Sequence, residues 1–214
     1  MYQYPLMLNL EGRVCVVVGG GTVAARKVRG LLDAGASIVV ISPTLTPELE
    51  ALAQDALIEA YMTYYDATLL ESLMPLLVFA ATDDAAINDQ VVTDARALGA
   101  LVDAAHDSSL SDFGSMALIR RGAITIGIST DGAAPALAVS LRDQIAALIG
   151  EEYAILAVWM GETRDAVKAT LTDADQRGDM WRRVIGSDIL ALLRDDKIEQ
   201  ARALYDSILA EDGV

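Results

Sequence analysis

With 214 residues, 53% hydrophobic and 22% charged, the chain can bury a substantial core, which excludes an intrinsically disordered protein. A formal net charge of −15 excludes a broad nucleic-acid or anionic-membrane surface, since both need clustered Lys and Arg; a small anion held by local groups is still allowed. No apolar stretch reaches membrane-span length, and "MYQYPLMLNLEGR" has no basic leader or small-residue cleavage site, so a cytoplasmic protein without membrane contact is expected.

Short apolar runs alternate with helical patterns from the first strand onward. "RVCVVV" (13–18) is continuous and β-branched, as suits a strand covered on both faces. It holds the only cysteine, Cys15, whose apolar neighbours predict a buried, reduced thiol. From Thr22 to Ala34, Val23, Ala24, Val28, Leu31 and Leu32 share one helix face, and Gly35 supplies a stop. "SIVVI" (37–41) is the next strand. Thr46 then reads as an N-cap with Pro47 at the first helical position. "LIEAYMT" (57–63) predicts a strand, and Thr68 with Glu71 fits a capping box. "LLVFAA" (76–81) is followed by a stripe of Ile87, Val91, Ala95 and Leu98 that stops at Gly99. "ALVDAA" (100–105) closes the series. This alternation predicts a Rossmann-like, doubly wound parallel α/β domain over residues 1–112.

Beyond residue 112 the pattern changes. A strand at "AITIGIS" (123–129) leads through "TDGAAP" to a helix starting near Pro135, and 113–150 reads as a separate middle segment. Residues 151–214 read as a small helical C-terminal domain, with breaks at Met160-Gly161, Arg177-Gly178 and Ile185-Gly186. The stripes of Leu137, Leu141, Ile145, Leu148, Ile189, Leu192 and Leu193 are more apolar surface than a small appendage leaves exposed. They predict a homodimer.

"VVVGGGTVAARK" is the strongest local signal. Gly19, Gly21 and Ala24 make G-x-G-x-x-A directly after a strand and at a helix start, where Thr22 and Val23 offer backbone N–H groups. Such a turn lets backbone approach a pyrophosphate at the positive helix end; a tight structural turn is the plain alternative. The second strand ends Ile41-Ser42-Pro43-Thr44 with no carboxylate, and no Lys or Arg follows before residue 60. Ser42, Pro43 and Thr44 are therefore the candidate ribose contacts, and NAD is favoured over NADP. In "FAATDD", Thr82 is placed on the nicotinamide side, while Asp83 or Asp84 either joins it or caps the next helix.

"YPLMLNLEGR", "VVVGGGTVAARKVRGLLDAGA", "FAATDDAAIN", "SDF", "RRGAITIGISTDG", "PALA" and "MWRRVIGSDILALL", in that order, resemble the siroheme synthase dehydrogenase family: precorrin-2 dehydrogenases, often also sirohydrochlorin ferrochelatases. The resemblance implies NAD-dependent oxidation of a tetrapyrrole, precorrin-2 to sirohydrochlorin. It also implies a homodimer in which 113–150 is the dimerisation segment. The substrate's carboxylates need local cations. Arg120 and Arg121 are favoured over Arg26 and Lys27, with solvated surface arginines as the alternative. Ser129 matches a serine that the family places in its active-site region; a plain turn is the other reading.

Three positions depart from the family pattern. His106, the only histidine, stands at the family's catalytic aspartate with Asp107 beside it; Met116 replaces a proline and Ala134 a serine. Imidazole accepts a proton near neutral pH, so His106 is the candidate proton acceptor, with Asp107 as orienter or substitute. A strand-end histidine, with Asp107 capping a turn, is the structural alternative. One histidine without a second His or Cys is no metal site, so no resident metal is expected. Two further functions stay open: a chelatase-inactive variant acting on a related tetrapyrrole, and a non-catalytic NAD- or tetrapyrrole-binding protein.

Overall fold

A computed structural model describes residues 3–214; Met1 and Tyr2, which head the stretch read for an export signal, lie outside the described residues. The chain divides into two compact units, Met1–Ser115 and Met116–Val214. Among the described residues no helix is long and apolar enough to cross a membrane.

The first unit carries five strands, β1 Val14–Val18, β2 Ser37–Ile41, β3 Glu59–Tyr61, β4 Leu77–Ala80 and β5 Leu101–Ala104. They pair in the order β3-β2-β1-β4-β5, all parallel. Helices α1 Thr22–Leu32, α2 Pro47–Gln54, α3 Ala67–Leu73 and α4 Ala85–Ala97 connect them. Strand alternation sorts the core into two layers. Cys15 and Val17 pack with Val28 and Leu31 of α1 and Leu49 of α2. Val16 and Val18 pack with Leu70 of α3 and Val91 and Ala95 of α4 on the opposite face. Both faces of the central strands are covered, so β1, β2 and β4 are near-continuous apolar runs, and the expected doubly wound Rossmann-like sheet is present. Cys15 is fully buried, and burial pushes its thiol up to about 11.

The outer edge of β5 is closed by the segment that follows it. Asp112 accepts from the Val102 N–H at 3.0 Å and its own N–H donates to the Val102 carbonyl at 2.8 Å. The Ser111 hydroxyl accepts from the Ala104 N–H at 2.9 Å. These groups occupy the backbone of an edge strand that would otherwise invite pairing.

Local punctuation departs from expectation at several places. Thr46 caps α2 as expected, accepting from Leu49 N–H. At α3 the cap is Asp66 rather than a Thr68–Glu71 box: its carboxylate accepts both the Thr68 N–H at 2.8 Å and the Thr68 hydroxyl at 2.6 Å. Those bonds hold the Asp66 carboxyl below the usual range. Val23 leaves the α1 core face and is partly exposed, because it belongs to the first helical turn at the sheet's C-terminal rim.

The second unit opens with a hairpin, β6 Ala117–Arg121 against β7 Ile124–Ile128, turning at Gly122 with φ +52. β6 is a strand that the sequence pattern did not reveal: it is short, half-exposed and ends in two arginines. Helices α5 Pro135–Ala146, α6 Glu151–Thr170, α7 Ala174–Gly186, α8 Ile189–Arg194 and α9 Ile198–Glu211 follow. α6 and α7 run unbroken through Gly161 and Gly178. A glycine inside a helix costs only about 1 kcal/mol against alanine, and Leu156, Trp159, Val167, Met180 and Val184 bury the flanking turns. Ile185-Gly186 does end α7. The apolar stripes also divide. Ile189 and Leu193 are buried in the α6–α9 core, around a Tyr205 hydroxyl that donates to the Trp159 carbonyl at 3.0 Å. Leu137 and Leu148 of the α5 region stay 51% and 70% exposed.

Candidate functional site

The glycine turn is shaped by backbone packing. Gly19 has φ +122, and a Cβ there would stand 2.3 Å from the Ala81 carbonyl oxygen after β4. At Gly20 a Cβ would stand 1.9 Å from the Thr44 carbonyl oxygen after β2. Gly20 is the variable position of G-x-G-x-x-A, yet sterics demand glycine there as strictly as at Gly19. Two hydrogen bonds fasten the turn: Gly19 N–H to the Ile41 carbonyl, and Thr46 N–H to the Gly20 carbonyl, each 2.9 Å.

Gly21 is different. Its φ is an ordinary −84, and a Cβ would meet nothing within 4 Å. It is the N-cap of α1 and no side chain caps that helix end. The positive end of the helix dipole therefore opens into empty space that any larger side chain would fill, a cradle suited to a pyrophosphate. Ala24, fully buried beneath, lets α1 pack closely on the sheet.

A cleft of about 560 Å³ runs over this turn at the C-terminal ends of β1, β2 and β4. It brings together Gly19, Gly21, Thr22, Val23, Ser42, Pro43, Thr44 and Thr82, all expected cofactor contacts, with Ala24 in the supporting layer. The cleft sits where strand order reverses between β1 and β4, the place for ligands in open α/β sheets. Ser42 is 6% exposed and its hydroxyl donates to the Thr44 carbonyl at 2.7 Å, so it shapes the β2 loop. Thr82 is clamped by buried Asn88: Asn88 Oδ1 accepts the Thr82 N–H at 3.0 Å and hydroxyl at 2.8 Å, while Nδ2 donates to the Thr82 carbonyl at 3.1 Å. Asp84 caps α4 through Ala86 N–H at 2.8 Å; Asp83 lines the cleft beside it.

His106 lies two residues past β5 and is not among the residues lining that cleft. Its Nε2 stands 3.0 Å from Asp89 Oδ1 on α4, with 22% of the side chain exposed. Asp107 faces elsewhere: its carboxylate accepts the Ser109 N–H at 2.9 Å and caps a short 3₁₀ turn, Ser108–Leu110. Hydrogen bonding from Ser109 holds that carboxyl below the usual range. The orienting carboxylate is thus Asp89, not Asp107. Lys27 is turned inward, paired with buried Asp103 and bonded to Ser115 Oγ at 3.1 Å.

The remaining sites belong to the second unit. Ser129 Oγ accepts the Asp131 N–H at 3.1 Å in the turn after β7. Arg121 donates to the Ile149 carbonyl at 3.0 Å and lies 3.4 Å from Glu151, so it is built into the fold of that unit. Arg120 is exposed on β6. Met116 lies over Gly127, and α5 starts without a side-chain cap at Ala134. Among the described residues, no group of three His, Cys, Asp or Glu stands together as a metal site. Gly20, Tyr64, Asn88 and Asp89 were missed from sequence. Asp89 carries no signal there, since an aspartate on an exposed helix face reads as a solvated charge.

The chain matches three family models in succession: a putative NAD(P)-binding family over residues 6–117, the sirohaem biosynthesis protein central region over 121–148, and the sirohaem synthase dimerisation region over 152–209. It is 38% identical over 213 residues to a siroheme synthase of Chromobacterium violaceum, covering 100% of this chain and 45% of that protein. A siroheme synthase 1 of Aeromonas salmonicida is 36% identical, covering 99% of this chain and 45% of that protein. The chain thus spans less than half the length of these relatives. Among solved structures, SirC, a precorrin-2 dehydrogenase, matches with a TM-score of 0.73 and 25% identity over 98% of both chains.

Gly21→Val places a side chain in the open cradle at a permitted φ. The variant is expected to keep its fold by circular dichroism and to lose NAD binding by at least about 10-fold in calorimetry. Full affinity in a folded variant would place the dinucleotide elsewhere.

Proposed function

We propose that this chain, which belongs to the siroheme synthase family through its NAD(P)-binding, central and dimerisation regions, oxidises precorrin-2 to sirohydrochlorin with NAD. The observation that carries the reading is the uncapped α1 N-terminus over Gly21, open within a cleft at the strand-order reversal. NAD rather than NADP follows from charge. No Lys or Arg occurs from Ser42 to Ala95, the stretch that holds the loops after β2 and β3. A 2′-phosphate on the β2 side would meet no cation from this stretch. When bound, NAD accepts hydride from the macrocycle.

The chain's own groups handle the protons. His106 is assigned as acceptor because it follows β5 at the ligand-bearing end of the sheet, with Asp89 holding one ring nitrogen. Asp107 keeps the turn that carries His106. In the second unit, Arg120 and Arg121 are assigned to substrate carboxylates, with Arg121 also bonded to the Ile149 carbonyl, and Ser129 to the turn that contacts substrate. A homodimer is inferred from the dimerisation region and the exposed Leu137 and Leu148.

The direct test is anaerobic incubation of precorrin-2 with NAD, followed by sirohydrochlorin and NADH absorbance. Equal amounts of both products are expected, with NADP at least about 10-fold poorer. Ligand binding without turnover would instead favour a non-catalytic binding protein. His106→Ala should lower the rate about 10²-fold with NAD affinity unchanged; near-normal turnover in a folded variant removes its role. Light scattering at micromolar concentration should return twice the chain mass, and a monomer mass would rule out the homodimer.

A further inference from the structure

We propose that Tyr64 is the adenine platform of this site, holding the base by its aromatic face while the cradle at Gly21 takes the pyrophosphate. The inference rests on the dinucleotide reading of the cleft. In a sheet ordered β3-β2-β1-β4-β5, the β2–β3 side of the glycine turn receives the adenosine half of a dinucleotide and the β4–β5 side the nicotinamide half. Tyr64 lies three residues past β3 and lines the cleft with Ser42, Pro43 and Thr44.

Its setting is that of a presented side chain. Tyr64 is 79% exposed, while the adjacent Tyr65 packs against the α3–α4 core layer. The Tyr65 hydroxyl donates to Asp94 at 2.9 Å, and burial together with that carboxylate raises its titration well above the tyrosine norm. On the other side, the Tyr61 carbonyl accepts N–H groups from both Ser42 at 3.1 Å and Thr63 at 2.9 Å. Asp66 then caps α3. The short loop is fixed at both ends, so Tyr64 pays little ordering entropy on meeting a ligand.

The usual polar handles on this side are missing. No carboxylate ends β2, no cation follows it, and the Ser42 hydroxyl is committed to Thr44. An aromatic face supplies what those groups do not. Stacking needs no base-edge hydrogen bond, every purine has a π-face, and contact with a base removes ring surface now left in water.

Calorimetry on the full chain with NAD and with ADP-ribose tests this. Tyr64→Ala should weaken both about 10-fold, and Tyr64→Phe should bind both as the parent does. Tyr64→Trp gives a local readout, because neither Trp159 nor Trp181 lines the cleft: ADP-ribose should quench the new indole emission. Unchanged ADP-ribose affinity in Tyr64→Ala, or unquenched Tyr64→Trp at saturation, overturns the platform and leaves the dinucleotide reading standing. A parent chain that binds neither NAD nor ADP-ribose overturns both.

Discussion

Two glycines pressed against carbonyl oxygens of neighbouring loops govern this molecule's ligand-binding end. Gly19 meets the Ala81 carbonyl after β4 and Gly20 meets the Thr44 carbonyl after β2, at separations where no Cβ fits. The turn after β1 is thereby held between the two loops that line the cleft. The next residue, Gly21, is left with open space. Close packing at two positions and emptiness at the third define where an anion can sit. Substituting either packed glycine would push the flanking loops apart, whereas substituting Gly21 would fill the cradle alone.

That arrangement explains how a chain with net charge −15 can receive an anionic dinucleotide. The phosphate site is supplied by backbone, in the form of a helix end worth roughly half a positive charge, rather than by lysine or arginine. Of the two cations early in α1, Lys27 is held away by buried Asp103 and Ser115, joining α1 to β5 and to the segment that seals the sheet edge. Removing one member of a buried pair leaves an uncompensated charge, so Lys27 supports the fold rather than the ligand.

Features written in local pattern were legible from the sequence. Strands β1 and β2 are β-branched runs because both faces are covered, and the G-x-G-x-x-A turn places eight of the expected contacts on one cleft. What depends on tertiary partners was not legible. β6 is short, half-exposed and arginine-ended, so nothing in its own residues marks it as a strand. Gly161 and Gly178 look like breaks until Trp159, Val167 and Met180 are seen burying the turns around them. Asp107 reads as the partner of His106 because they are neighbours in sequence, but the chain turns between them. Asp89, seventeen residues away, supplies the bond. Tyr64 and Tyr65 are adjacent and identical in type, and only the fold sends one into the core and the other to the cleft.

The central claim is that the open end of α1 binds the pyrophosphate. Amide chemical-shift mapping of the ¹⁵N-labelled chain during NAD titration tests it most directly. The account predicts that the largest shifts fall on the N–H groups of Gly21, Thr22 and Val23, with smaller ones at Thr44 and Thr82. Saturation with NAD that leaves the 21–23 amides unmoved, while others shift, would contradict it.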